Sequence, residues 1–135
     1  MITEDYVSFE TAKLLKEKGF DENCIKVYIN KELRDVITKE SIKECTNCFN
    51  HYLYPGDAAA PTLQMVMKWL REEHNICIVI QPYDSYYKER YEFEINKKNN
   101  NDFTWEWISD IENTIFDTYE EAVEAALKYC LTNLI

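Results

Sequence analysis

The chain has 135 residues, two glycines and a formal charge of −10. An average usage of about 7% would give roughly nine glycines. With Gly19 and Gly56 alone, no glycine-rich dinucleotide fingerprint, phosphate loop or nucleophile elbow can be written. The charge, 25 Asp and Glu against 15 Lys and Arg, repels phosphate backbones and anionic lipid, which disfavours nucleic acid and membrane surfaces as partners.

The first element in chain order is a helix. Ser8 is a good N-cap, and Phe9, Ala12 and Leu15 recur at helical spacing. Gly19 stands where a left-handed residue closes the helix, with Phe20 able to pack back on Leu15. Residues 24–29 read as a strand with Ile25, Val27 and Ile29 on one face, and Asn30-Lys31 turns the chain into a short strand around Leu33 to Ile37. Thr38 to Tyr54 reads as a loop with one helical turn. Tyr54-Pro55-Gly56-Asp57 has the type II pattern, with Pro second and Gly third.

A central helix starts at Pro61 or Thr62 and ends near His74-Asn75. Its core stripe is Leu63, Val66, Met67 and Leu70, widened by Met65 and Trp69. Ile76 to Gln81 is apolar on both faces, the pattern of a central strand. Pro82-Tyr83-Asp84-Ser85 reads as a turn. From Tyr87 to Ile95 the chain alternates, placing Tyr91, Phe93 and Ile95 on one face and Arg90, Glu92 and Glu94 on the other. Phe103, Trp105 and Trp107 alternate in turn, and Tyr91, Phe93, Trp105 and Trp107 are expected to fill the space between sheet and helices. The last helix opens on a capping box, Thr118 with Glu121, and buries Val123, Ala126, Leu127, Cys130, Leu131 and Leu134. These elements make a single α+β domain over 1–135. Its sheet is mostly antiparallel, with three main helices packed on one face.

The sharpest constellation for chemistry is Cys45-x-x-Cys48-x-x-His51. Zinc takes thiolate and imidazole ligands, and short spacings let one turn present several. Cys24, His74 or Cys77 is a candidate fourth ligand. The plainer reading is unligated thiols: five cysteines is an odd number, and the acidic N-terminus, Met1 to Tyr6, lacks the apolar run of an export signal. That places the chain in a reducing cytoplasm, with no apolar stretch approaching a membrane span. Carboxylates at period 2 on a solvent-facing strand face, such as Glu92 and Glu94, are expected to be solvated rather than catalytic. Tyr83 and Tyr86 are placed near a hairpin, where exposed tyrosines anchor partner interfaces.

Three segments carry a resemblance. They are Tyr6-Val7-Ser8-Phe9-Glu10-Thr11-Ala12-Lys13-Leu14-Leu15-Lys16-Glu17-Lys18-Gly19-Phe20-Asp21, the stretch from Ala60 to Ile76, and Tyr119-Glu120-Glu121-Ala122-Val123-Glu124-Ala125-Ala126-Leu127-Lys128. Together they resemble small uncharacterised proteins of gut Bacteroides-type bacteria, associated with phage and mobile elements. The resemblance implies a bacterial or phage origin and a cytoplasmic location. It implies no activity.

The function expected on these grounds is a non-enzymatic, acidic interaction module that docks a protein partner through Tyr83, Tyr86 and one acidic solvent-facing strand face carrying Glu92, Glu94 and Glu106. A free strand edge offers a route to a homodimer. The first alternative is a small zinc-stabilised domain using Cys45, Cys48 and His51. The second is an enzyme of unrecognised type.

Overall fold

The computed structural model describes residues 1–36 and 48–135. The class is α+β, and the described residues form three α-helices and two antiparallel sheets of three and four strands. The chain divides into two compact units, Met1–Thr62 and Leu63–Ile135.

In the first unit, α1 (Phe9–Glu17) begins where Ser8 Oγ accepts from the Thr11 N–H at 3.2 Å. It ends in a Schellman closure: Phe20 N–H reaches the Leu15 carbonyl at 2.9 Å, and Gly19 N–H the Lys16 carbonyl at 3.3 Å. Gly19 sits at φ +87, and Phe20 and Leu15 are both fully buried. Strands β1 (Lys26–Ile29) and β2 (Glu32–Asp35) form a hairpin. Its turn residues, Asn30 and Lys31, both have positive φ, 51 and 65, as a two-residue turn matched to strand twist requires. The short strand β3 (Ala58–Ala59) pairs with β1 on its other side, giving the order β2-β1-β3.

Of the stretch Thr38 to Tyr54, residues 38–47 lie outside the described residues, and Asn50–Tyr52 forms a 3-10 turn. Asn50 is buried there and paired through both its amide nitrogen and its oxygen. Its amide donates to the Phe20 carbonyl at 2.7 Å, and its oxygen accepts from the Ala59 N–H at 2.9 Å. A buried amide left unpaired would cost about 1–3 kcal/mol, so these two bonds fix the turn to the end of α1 and to β3.

Two local expectations change in this unit. Ile25 is exposed because a bend precedes β1, and Cys24 takes the buried position instead. The turn at Tyr54–Asp57 forms, with Asp57 N–H on the Tyr54 carbonyl at 3.0 Å. Gly56, however, does not adopt positive φ. The turn is therefore not type II, whose third residue requires it.

In the second unit, α2 (Leu63–His74) buries Leu63, Val66, Met67, Trp69 and Leu70. It starts two residues after Pro61. Asn75, at φ 57, ends it in the left-handed conformation that Asn tolerates, and the chain enters β4 (Ile76–Tyr83) directly. β4 pairs along its whole length with β5 (Arg90–Lys98), which also pairs with β6 (Trp105–Trp107) and β7 (Ile115–Phe116). Among the described residues β5 is thus the central strand and β4 an edge. This reverses the expectation from the doubly apolar run Ile76 to Gln81: Val79 is 38% exposed, and Pro82, without an N–H, continues the strand at the sheet's rim. The turn lies beyond Tyr83, and Tyr87 belongs to it rather than to β5.

The last helix, α3 (Tyr119–Asn133), is capped by Thr118 Oγ1, which accepts from the Glu121 N–H at 3.1 Å. It packs with α2 on the face of the sheet carrying Ile76, Ile78, Phe93 and Ile95, all buried. Each such side chain, removed from water, contributes roughly 1.5–3 kcal/mol. Phe93 also stacks on Phe116 of β7, with ring centroids 6.0 Å apart. Trp105 and Trp107, expected in this core, are 47% and 66% exposed.

Candidate functional site

The register of the second sheet decides what its open face carries. Directly paired residues in an antiparallel sheet share a face. Ile78 pairs with Ile95 and Ile80 with Phe93, so that face meets the helices. On the other face, Cys77, Val79, Gln81 and Tyr83 lie opposite Asn96, Glu94, Glu92 and Arg90. Asn96 in turn pairs with Trp107, and Lys98 with Trp105. Both tryptophans therefore stand on the face of Glu92 and Glu94. Glu106 pairs with Lys97, itself opposite Ile76, and points to the other side. The expectation that Glu92, Glu94 and Glu106 share one acidic face is corrected for Glu106.

A recess opens on this face beside β5. β6 and β7 lie along the same edge of β5, but at different places. Ile108 N–H donates to the Ile95 carbonyl at 2.8 Å, and Phe93 N–H donates to the Thr114 carbonyl at 2.9 Å. Between those two anchors the chain leaves the sheet and returns, turning at Asp110 with φ 67. The excursion leaves a hollow of about 250 Å³ along Glu92, Phe93 and Glu94, lined also by Trp107, Ile108, Asp110, Ile111 and Thr114. Ligand pockets for drug-sized molecules run from about 300 to 1,000 Å³. This hollow is smaller and matches one side chain.

Its polar groups are partly held in place. Gln81 Nε2 donates to Glu94 Oε1 at 3.2 Å, and Thr114 Oγ1 donates to Glu92 Oε1 at 3.4 Å. Each carboxylate keeps lone pairs beyond these single bonds. Among the described residues, no Lys or Arg forms an ion pair with Glu92, Glu94 or Asp110. The neighbouring cations are engaged elsewhere. Lys88 and Arg90 both approach Asp117, at 2.9 and 3.6 Å, and hold its carboxyl below the usual carboxylate range. Lys98 lies over the Phe103 ring, 5.0 Å from its centroid.

The other candidates fall elsewhere. Tyr83 is on the open face at the end of β4, and Tyr86 is fully exposed in the turn that follows. Cys45 lies outside the described residues. Cys48 is buried opposite Cys24. His51, in the 3-10 turn, meets Asp21 through Nδ1 and through its backbone N–H, the latter at 3.0 Å from Oδ1. His74 ends α2 against the Trp69 ring, where burial lowers its pKa, and Cys77 is in β4. Among the described residues, no three His, Cys, Asp or Glu side chains are grouped to hold a metal ion, and no helix is long and apolar enough to cross a membrane.

Sequence reasoning missed Trp107 as a partner of Glu92 and Glu94, and it missed Asp110 and Thr114. The first was hidden by reading the tryptophans as core. The others depend on β7, a two-residue strand with too little pattern to register. Compared with protein-family models, curated proteins and solved structures, the chain matches none.

Proposed function

We propose that this protein is a non-enzymatic interaction module whose recess on the second unit receives a basic side chain of a protein partner. The observation that carries the reading is the juxtaposition of Glu92, Glu94 and Asp110, none paired with a cation of the described chain, with the exposed ring of Trp107 in one hollow of side-chain size. Carboxylates supply charge-assisted hydrogen bonds, each contributing about 1.5–3 kcal/mol. An indole face attracts a cation by about 0.5–2 kcal/mol more as water is excluded. The overall charge of −10 would draw a basic partner toward any part of the surface. The recess adds a place for it to dock. The resemblance to phage- and mobile-element-associated proteins fits a small cytoplasmic module of this kind.

The test uses a synthetic peptide of alternating arginine and glycine, titrated against the full chain at low salt. Affinity falls with added salt, and Glu94→Lys weakens binding tenfold or more. Glu106→Lys makes the same change in net charge on the opposite side of the sheet and has a much smaller effect. Equal losses from the two variants would show that net charge, not the recess, governs association.

A further inference from the structure

The two buried cysteines among the described residues of the first unit stand opposite each other. Cys24, just before β1, and Cys48, just before the 3-10 turn, form an isolated antiparallel bridge. Cys24 N–H donates to the Cys48 carbonyl at 3.0 Å, and Cys48 N–H is held by Asn23 Oδ1, also at 3.0 Å. Directly opposed residues in such a pair carry their side chains on the same side, and both cysteines are buried and lie outside any disulfide, with Cys24 Sγ donating to the Glu22 carbonyl at 3.5 Å. Residues directly opposite each other in antiparallel pairing have Cα atoms about 4.5–5.5 Å apart, within the roughly 4.4–6.8 Å over which disulfides form. Packing alone does not ask for two cysteines here, since any two small apolar side chains would fill the site.

We propose that Cys24 and Cys48 form a reversible disulfide that staples the start of β1 to the chain entering the 3-10 turn, with a small-molecule disulfide as the oxidant. One protein thiol gives up its proton to solvent and attacks one sulfur of that disulfide. The bond between its two sulfurs breaks, and the departing thiolate takes up a proton. The second protein thiol, also deprotonated, then attacks the mixed disulfide and releases the other small thiol. Two protein thiols are oxidised and one small disulfide is reduced to two thiols. Burial, with Cys48 and Glu22 nearby, pushes the Cys24 thiol up to about 12. The exchange therefore proceeds through local opening of the bridge and quickens as pH rises. In a reducing compartment the pair rests as thiols, and sustained oxidative conditions close the staple.

The full chain is incubated with oxidised glutathione, quenched with an alkylating agent and digested without reductant. Mass mapping is expected to show a peptide pair joining Cys24 to Cys48, reversed by dithiothreitol, and Tm rises by a few degrees because the cross-link restricts the unfolded chain. Cys48→Ser loses the linked peptide and the shift, and Cys24→Ala serves as an independent second variant. Mapping in the unaltered protein needs neither variant to fold. Preferential linkage through Cys45, recovery of Cys24 and Cys48 as alkylated thiols after prolonged incubation, or a Cys24–Cys48 link that appears only in urea would each overturn the proposal.

Discussion

Replacing each glycine by alanine separates two positions that look alike in the sequence. Gly19 closes α1 at φ +87, a conformation that costs an L side chain roughly 1–2 kcal/mol. Alanine also restricts the unfolded chain, which returns about 0.4–1 kcal/mol. The net expectation for Gly19→Ala is a loss of about 1 kcal/mol, even though a Cβ there meets nothing within 4 Å. The penalty is conformational, not steric. Gly56 also has open space around its Cβ position, but its φ lies outside the left-handed region. Gly56→Ala should therefore keep only the unfolded-state gain and stabilise by about 0.4–1 kcal/mol. Urea unfolding followed by far-UV circular dichroism, with m unchanged, resolves opposite shifts in midpoint. Gly19→Asn should cost less than Gly19→Ala, because Asn tolerates the left-handed region. Destabilisation by Gly56→Ala as large as that by Gly19→Ala would refute the turn geometry described here. A neutral Gly19→Ala would refute the Schellman closure.

Trp107→Ala removes an exposed ring, so it should alter stability by less than about 0.5 kcal/mol. It should also weaken the arginine–glycine peptide roughly 2- to 30-fold, as measured by calorimetric titration. Phe93→Ala, on the same sheet but buried against the helices, should cost about 3–5 kcal/mol in a denaturant melt. Thr118→Ala deletes the oxygen that accepts from the Glu121 N–H and should cost about 1 kcal/mol, visible in the same melt. Asp21 is pushed up by burial, but this is outweighed by the backbone and side-chain hydrogen bonds and the charge of His51, and its pKa falls below 3.8. A depressed carboxylate contributes stability above its unfolded pKa and loses it as pH falls through the folded value. Asp21→Asn should therefore flatten the acid limb of the stability curve, and an unchanged acid limb would show that the His51 contact contributes nothing.

The open face of the second sheet shows why the candidate site was only half legible. Within β5, alternation placed Glu92 and Glu94 together and opposite Phe93, and the register agrees. Alternation within β6 likewise put Trp105 and Trp107 on one side and Glu106 on the other. What alternation cannot supply is which side of β6 aligns with which side of β5. A one-residue change of register exchanges the two faces, and the connection between the strands sets it. Hydrophobicity favoured the helix-facing side for the tryptophans, whereas the pairing of Asn96 with Trp107 sets them beside the carboxylates.

By itself the sequence determined the α+β class, the caps of α1 and α3, the buried stripes of α2 and α3 save Leu134, which lies half-buried just past the end of α3, and the absence of any glycine-built phosphate site. These follow from interactions within a few residues: Ser8 with Thr11, Thr118 with Glu121, Gly19 with the last turn of its own helix. The tertiary structure alone decided that β4 is an edge, that Glu106 parts from Glu92 and Glu94, that Trp107 joins them in a recess, and that Cys24 meets Cys48. Each of these is a pairing between residues distant in the chain, set by register and loop path, on which local periodicity carries no information.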